Sequence, residues 1–114
     1  MTGDQVYLQH VLDAVAKIET YAAVGRDLFF STSHWQDAII RQLEIIGEAT
    51  KQLSSELRSQ HPEVAWRRIA GLRDVLIHNY LGVDLTTVWE ITQRDLPLLK
   101  THIQSILREL EPGG

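Results

Sequence analysis

The sequence predicts an all-α protein: an antiparallel bundle of three long helices plus a short helix, third in chain order, that carries the most informative motif. Three observations predict this fold class. Apolar residues recur at spacings of three and four, no stretch alternates apolar and polar residues as a strand would, and turn residues separate the periodic stretches. A chain of 114 residues is expected to form one domain, over residues 1–114.

The first predicted helix covers residues 4–24, with Asp4 as its N-cap and Gly25 as its C-terminal stop. Residues 26–31 are expected to form a short connection whose two phenylalanines fold back onto the core. The apolar stripe expected to face the core contains Leu8, Val11, Val15, Ile18 and Ala22.

A long second helix is predicted over residues 32–60, with Ser33 as its N-cap and Gln36 completing a capping box. Gly47, in the middle of this helix, costs about 1 kcal/mol relative to alanine, so we expect another helix to approach closely there. The buried stripe is expected to contain Trp35, Ile39, Leu43, Ile46, Ala49, Leu53 and Leu57, and the opposite side Arg41, Glu44 and Glu48.

The third predicted helix runs from about residue 65 to residue 80, after a break at His61-Pro62. Arg73 falls near the middle of its apolar stripe, and an arginine on an apolar face is costly unless it is paired or lies at an interface. At about 100° per residue, the stripe contains Ile69, Leu72, Leu76 and Tyr80.

The fourth predicted helix covers residues 85–110, with Asp84 as its N-cap. Pro97 lies inside this helix and removes the backbone hydrogen bond to the Gln93 carbonyl, so we expect a kink there. The stripe expected to be buried contains Leu85, Val88, Trp89, Leu96, Leu99, Ile103, Ile106, Leu107 and Leu110.

The stretch that says most about function is Arg73-Asp74-Val75-Leu76-Ile77-His78-Asn79-Tyr80. It contains an arginine, a histidine five positions later and a tyrosine two positions beyond that. Asp74 and His78 are four residues apart, a spacing that places a carboxylate beside an imidazole on one helix face. The pattern R-x-x-x-x-H-x-Y therefore groups a cation, an acid–imidazole pair and a phenol in one short helix.

This pattern resembles the signature of the HEPN superfamily (higher eukaryotes and prokaryotes nucleotide-binding), and more closely that of its HepT-like toxin branch. Two further stretches resemble the same branch, R-Q-L-E-I-I-G-E-A at residues 41–49 and H-P-E-V-A-W at residues 61–66. The resemblance spans nearly the whole chain. It implies the HEPN helical fold and a ribonuclease activity at a site shared by two copies of the chain.

The motif residues suit cleavage of RNA without a metal ion. The 2′-hydroxyl must lose a proton, the phosphate must accommodate extra negative charge, and the leaving 5′-oxygen must gain a proton. Histidine suits either proton transfer because its unperturbed pKa is about 6.5. Arginine suits the phosphate because its planar fork stays charged and binds two oxygens. We therefore assign phosphate stabilisation to Arg73 and proton transfer to His78.

A single chain lacks part of this machinery. It supplies one motif histidine where an acid and a base are needed, and Arg73 and His78 are about 140° apart on an ideal helix. Two copies packed around a two-fold axis would form one composite cleft with paired histidines and arginines. We therefore expect a homodimer, as the HEPN resemblance also implies.

Other interpretations of the catalytic residues remain open. Arg73 could be a buried ion-pair partner of Glu44 or Glu48, and that role is compatible with catalysis. His78 could be a solvated histidine stabilised by the helix dipole. Tyr80 could be a core aromatic residue with its hydroxyl at the rim.

Three further residues are candidates for supporting roles. We expect Asp74 to orient His78, although it could be an ordinary ion-pair partner. Asn79 is expected to cap the helix end, with binding of a phosphate as the alternative. Glu48 is expected to support the site or an interface, with a role as acid catalyst as the alternative.

The resemblance also implies a biological role and a partner, which the chemistry of the motif residues does not indicate. It implies a toxin of a toxin–antitoxin pair, of the type VII kind, whose partner is a minimal nucleotidyltransferase that adds AMP to the tyrosine matching Tyr80. The adduct would place bulk and negative charge where substrate phosphate must bind. The implied partners are a second copy, this nucleotidyltransferase and an RNA substrate, either transfer or messenger RNA, and no cofactor is expected.

Composition and charge argue against several other classes of protein. The net charge of −4 argues against a broad basic nucleic-acid surface, although three arginines and one aspartate give residues 64–80 a local charge of +2. No apolar run approaches the roughly 18 residues of a membrane span, and the N-terminus lacks a signal-peptide pattern, so we expect a cytoplasmic protein. The absence of cysteine excludes thiolate metal ligands, and no metal site is expected at the histidines outside the motif, His10, His34, His61 and His102.

A second function class remains open. The chain could be a non-catalytic helical partner or regulatory subunit of a nucleotidyltransferase, with the motif binding a nucleotide or mediating dimerisation. The intact set of Arg73, His78 and Tyr80 argues against that alternative. A plain bundle scaffold would leave the arginine on the apolar stripe unexplained.

Overall fold

The computed structural model describes residues 3–72, 74 and 84–111, which form helices joined by short turns, with no β-strand among them. α1 packs along α3 and against α7, and α5 packs on α3, so the predicted all-α bundle is confirmed. In chain order the helices are α1 (Gly3–Ala22), α2 (Arg26–Ser31), α3 (Ser33–Lys51), α4 (Ser55–Gln60), α5 (Trp66–Ala70), α6 (Leu85–Glu90) and α7 (Leu96–Leu110), with a π-helical turn (Ile91–Asp95) between α6 and α7.

The core follows the predicted apolar stripes except at the end of the last one, where Leu110 is exposed because it is the last residue of α7. Phe29 is fully buried and Phe30 packs against the core, as expected for these two residues. Ala22 and Trp35, at the ends of their stripes, are only half-buried. The buried hydrophobic residues of the three long helices are Leu8, Val11, Ala14, Val15 and Ile18 in α1, Ile39, Leu43, Ile46 and Ala49 in α3, and Leu96, Leu99, Ile103 and Ile106 in α7.

The segment between the first two long helices differs from the prediction. Residues 26–31 are not a plain connection but form α2. Its N-cap is Gly25, whose φ of 98° lies in the left-handed region that favours glycine. α1 has already ended at Ala22, so Gly25 starts the second helix rather than stopping the first.

The predicted capping box at Ser33 is wrong. Thr32 occupies the N-cap position of α3, and its side chain accepts no capping hydrogen bond. The Gln36 amide instead donates to the carbonyl oxygens of Phe29 at 2.9 Å and Phe30 at 3.3 Å. The last carbonyl groups of any helix have no partner within the helix. The Gln36 side chain supplies that partner at the C-terminal end of α2.

The long helix predicted over residues 32–60 is interrupted. α3 ends at Lys51, and α4 begins at Ser55 with Ser54 as an extended N-cap whose hydroxyl accepts from the Leu57 backbone N–H at 3.1 Å. The carboxylate of Asp4 accepts from the backbone N–H and the hydroxyl of Ser54, at 2.8 and 2.7 Å. Asp4 therefore lies inside α1 and binds Ser54, so its predicted role as an N-cap is wrong.

Ser54→Ala is expected to lower the free energy of unfolding by about 1 kcal/mol, because it removes the N-cap of α4 and a hydrogen bond to Asp4. Denaturant unfolding measures the change. Ser105→Ala makes the same chemical change inside α7 and serves as the control. Equal stability of the Ser54 variant and the unsubstituted chain would show that this cap contributes nothing.

The last predicted helix has a change of register before its proline. Asp84 is the N-cap, as predicted, and accepts from the backbone N–H groups of Thr86 and Thr87. Hydrogen bonds from the hydroxyl and backbone N–H of Thr87, and then from the backbone of Thr86, lower the pKa of the Asp84 carboxyl. The helix is then wound as a π-turn at Ile91–Asp95, immediately before Pro97. A π-turn is one of the known causes of a helix bend, so the expected distortion lies in the turn that precedes the proline.

The third predicted helix also contains a break. It begins at Trp66, and α5 ends at Ala70, because Gly71 has φ −86° and ψ 1° instead of helical angles. Leu72 and Asp74 are again helical, and the predicted helix end near residue 80 lies outside the described residues. Leu72 is buried and Ile69 is partly buried against the core, as the predicted stripe requires, and the other members of the stripe lie outside the described residues. Among the described residues, no helix combines the length and apolar character needed to cross a membrane.

Candidate functional site

The structure describes only part of the predicted site. Arg73, His78, Asn79 and Tyr80 lie outside the described residues, so their roles stay predictions. Asp74 is described as an exposed helical residue, and its predicted contact with the motif histidine lies outside the described part of the chain. The surroundings of the motif can nevertheless be built from the helices that lead to it.

α5 anchors the chain immediately before the motif. The indole N–H of Trp66 donates to the carbonyl oxygen of His61 at 2.8 Å, and the Trp66 ring is buried. On the outer side of α5, the guanidinium of Arg68 lies 2.9 Å from the Asp95 carboxylate in the π-turn. Leu72 is buried just before the motif arginine. The Trp66 hydrogen bond fixes α5 to the preceding turn, and the Arg68–Asp95 pair connects α5 to the π-turn.

His61 has a structural position rather than a place in the predicted site. Its Nδ1 lies 3.3 Å from Glu63 and its Nε2 3.5 Å from Glu109, so the ring links the α4–α5 connection to α7. A hydrogen bond from its own backbone, and then hydrogen bonding and charge from His61, lower the pKa of the Glu63 carboxyl. Among residues 3–72, 74 and 84–111, no three histidine or carboxylate side chains are grouped so that they could hold a metal ion.

Glu48 lies on the exposed side of α3, as predicted. Its carboxylate is 3.8 Å from Lys51, and the neighbouring Glu44 is 3.6 Å from Arg41. The alternative in which Arg73 pairs with Glu44 or Glu48 involves a residue outside the described range. The same side of α3 forms an open groove against α1, with a volume of about 590 Å³ and lined by Tyr7, His10, Arg41, Glu44, Ile45, Glu48, Ala49 and Gln52.

A second groove, between α4 and α5, contains an arginine that the sequence analysis missed. We call it the α4–α5 groove. It has a volume of about 410 Å³ and is lined by Ser55, Arg58, Ser59, Trp66, Arg67 and Ala70. The sequence signal was available, since Arg58 and Arg67 flank the His61-Pro62 break, but the turn that brings them to one groove is a tertiary feature.

The comparisons with known proteins identify the family. A family model described as Ribonuclease HepT-like matches residues 11–106. A Methanocaldococcus jannaschii protein named "Gamma-glutamylcyclotransferase and putative RNase" is 43% identical over 108 residues, which cover 94% of this chain and 49% of that protein. This chain therefore spans about half the length of that relative.

Two relatives match over nearly their whole length. A "Putative RNase" of Caldanaerobacter subterraneus subsp. tengcongensis is 38% identical over 110 residues, covering 96% of this chain and 98% of that protein. A "Probable ribonuclease HepT" of Thermococcus cleftensis is 38% identical over 101 residues, covering 88% of this chain and 92% of that protein. No solved structure shows a significant match to this chain.

The helical bundle and the family match define an all-α, HEPN-like protein. The chain belongs to the HepT-like ribonuclease family. The resemblance carried by R-x-x-x-x-H-x-Y and the two upstream stretches is thereby confirmed at the level of family and fold.

Proposed function

We propose that this chain is a metal-independent RNA endonuclease that acts as the toxin of a toxin–antitoxin pair. Membership of the HepT-like family carries the proposal, because the matched residues 11–106 include the whole motif at residues 73–80. Arg73 stabilises the charge that develops on the phosphate, and His78 transfers a proton. The 2′-oxygen attacks the phosphorus, the 5′-oxygen leaves with a proton, and one product ends in a 2′,3′-cyclic phosphate.

The proposed reaction needs two proton-transfer groups, and the motif of one chain has one histidine. A second copy supplies the second group when the two motifs face each other across a two-fold axis. Asp74, an exposed helical residue, is proposed to orient the imidazole of His78. Glu48, an exposed residue of α3, is proposed to support the site or the interface.

The free protein is expected to sediment as a homodimer at micromolar concentration, because the composite cleft requires two copies. Analytical ultracentrifugation combined with a cleavage assay at the same concentrations tests this. Activity and dimer fraction should fall together on dilution. A monomer that still cleaves RNA at its full rate would contradict the shared cleft.

Regulation of the site is proposed to act through Tyr80. A nucleotidyltransferase partner joins the phenol oxygen to the α-phosphorus of ATP, and pyrophosphate leaves. Tyr80 is seven residues after Arg73, about 10 Å along an ideal helix axis. An AMP group there carries about one negative charge that Arg73 attracts, so it occupies the position of the substrate phosphate.

Co-expression with the cognate nucleotidyltransferase is expected to add one or more AMP units to Tyr80 and to remove ribonuclease activity. Intact-mass spectrometry detects the adduct, and peptide mapping locates it. Tyr80→Phe should remain unmodified, whereas Tyr7→Phe, at a half-buried tyrosine of α1, should be modified normally. An unchanged mass after co-expression, or an adduct on Tyr7 or Tyr21, would remove Tyr80 from this role.

Growth after induction tests the proposed function as a whole. Induction of this chain alone should stop growth, and co-expression with the nucleotidyltransferase should restore it. Tyr80→Phe should remain toxic in the presence of the partner, provided that the phenol is not needed for cleavage. Normal growth in all cases, together with a stable complex of the two proteins, would favour a non-catalytic subunit of the nucleotidyltransferase.

A further inference from the structure

The α4–α5 groove concentrates hydrogen-bond donors on one surface. Arg58 and Ser55 come from α4, with Ser59 one helical turn after Ser55, and Arg67 faces them from α5. The Nε–H of Arg58 is buried and has no hydrogen-bond partner among the described residues. A buried donor without a partner is costly, and no protein acceptor among the described residues engages this part of the Arg58 guanidinium.

The charge of this groove is unusual for the chain. The protein has a net charge of −4, and in its described part Arg41, Lys51, Arg68 and Lys100 each lie within ion-pair distance of a carboxylate. None of the described residues that line the groove is acidic, and Arg58 and Arg67 have no such carboxylate among the described residues. Other exposed cations, such as Arg94 and Arg108, also lack one in that part of the chain, so the groove differs in bringing two such cations to one surface. Two arginine forks beside two hydroxyl groups are suited to phosphate oxygens.

The position of the groove connects it to the proposed site. Ala70, at one end of the groove, precedes Arg73 by three residues, and α5 leads directly into the motif. An RNA strand that reaches the motif from this side would pass its backbone along Arg67 and Arg58. The buried ring of Trp66 forms part of the groove wall, so the groove offers charge to the phosphates and little aromatic surface to the bases.

We propose that the α4–α5 groove binds the phosphodiester backbone of substrate RNA, upstream or downstream of the cleaved bond, through Arg58 and Arg67. This assignment rests on the proposed ribonuclease function and adds to it a binding subsite outside the R-x-x-x-x-H-x-Y motif. Ser55 and Ser59 donate further hydrogen bonds to the same phosphates. The subsite recognises the backbone and is therefore independent of base sequence.

Binding of a labelled, non-cleavable 2′-O-methyl oligoribonucleotide tests the subsite without requiring turnover. Arg58→Gln/Arg67→Gln is compared with Arg94→Gln/Arg108→Gln, which removes the same two positive charges from exposed positions elsewhere. Loss of two single-strand phosphate contacts should raise the Kd about tenfold near physiological salt. It should also reduce the slope of log K against log salt by about 1.4. The control pair should change the Kd less than twofold.

Melting temperatures establish that the variants are folded. Because Arg58 is partly buried, Arg67→Gln alone provides a second test at an exposed position, with an expected rise in Kd of about threefold. Equal effects of the groove pair and the control pair would attribute the change to net charge and overturn the subsite. So would unchanged RNA binding combined with loss of nucleotidyltransferase binding, which would make the groove a protein interface.

The outcome is separable from that of the proposed function. Groove-dependent binding of the oligonucleotide by a protein that cleaves no RNA would contradict the nuclease proposal and leave the subsite standing. Normal cleavage by the wild-type chain with a Kd that is insensitive to Arg58 and Arg67 would contradict the subsite alone.

Discussion

His78→Ala is expected to abolish RNA cleavage and toxicity while leaving the fold intact. Proton transfer by a positioned side chain contributes about 10²- to 10⁴-fold to a rate, and a composite site with two copies of the variant would lose both proton-transfer groups. The rate should therefore fall by about 10³-fold or more. Initial rates on a fluorogenic RNA measure the loss, and the melting temperature should change little because position 78 is not on the predicted apolar stripe.

His34→Ala is the matched control for this substitution. His34 is an exposed histidine of α3 whose ring contacts the Trp35 ring at a tilt, far from the motif in sequence. This variant should retain the cleavage rate of the unsubstituted chain. Full activity of His78→Ala would exclude His78 as the proton-transfer group. Equal loss in both variants would point to a general effect on folding.

Arg73→Lys is expected to reduce the cleavage rate by about 10²-fold. Lysine keeps the positive charge but loses the planar fork that binds two phosphate oxygens, and lost transition-state hydrogen bonds of this kind cost about two to three orders of magnitude. The loss should appear mainly in kcat, because the charge that attracts RNA is retained. Rates at saturating RNA and melting temperatures are compared for the same preparations.

Arg41→Lys serves as the control because Arg41 is exposed and pairs with Glu44 on α3. It should change neither rate nor stability appreciably, as expected for a surface ion pair. A near-normal rate in Arg73→Lys, together with a large fall in melting temperature, would show that Arg73 is a structural ion-pair partner. That result would support the alternative pairing with Glu44 or Glu48.

The parts of the fold that could be predicted are those determined by local pattern. Spacing of three and four identified the buried faces of α1, α3 and α7, since an amphipathic helix has only one way to bury such a stripe. Asp84 was correctly predicted as an N-cap, because an aspartate side chain at a helix start satisfies free backbone N–H groups without help from the rest of the chain.

The breaks in the predicted helices could not be predicted from local pattern alone. Ser54 interrupts the long second helix, and the contact that holds it extended is with Asp4, 50 residues earlier. Gln36 satisfies carbonyl groups of α2 rather than its own helix end. In both cases the local sequence was compatible with the predicted structure, a continuous helix or a capping box. A hydrogen bond to another helix determines the observed one instead. Gly71 was a local signal, and its departure from helical angles shortened α5.

In the candidate site, too, some residues could be predicted from local sequence and others only from the fold. The motif at residues 73–80 was recognised from residue identity and spacing, and membership of the HepT-like family was confirmed from the matched residues. Arg58 was not singled out, because its significance depends on the turn after α4 that brings it opposite Arg67. A cation without a carboxylate partner can be recognised only when the positions of the surrounding acids are known.

Analysis of the cleavage products formed in the presence of EDTA tests the central claim most directly. The purified chain is incubated with a defined RNA in EDTA, and with the same RNA carrying 2′-deoxy sugars at the mapped cleavage sites. Cleavage without metal ions, products ending in a 2′,3′-cyclic phosphate and resistance of the 2′-deoxy substrate are the predicted results. A requirement for a divalent cation, or cleavage of the 2′-deoxy substrate at the same sites, would contradict the proposed mechanism.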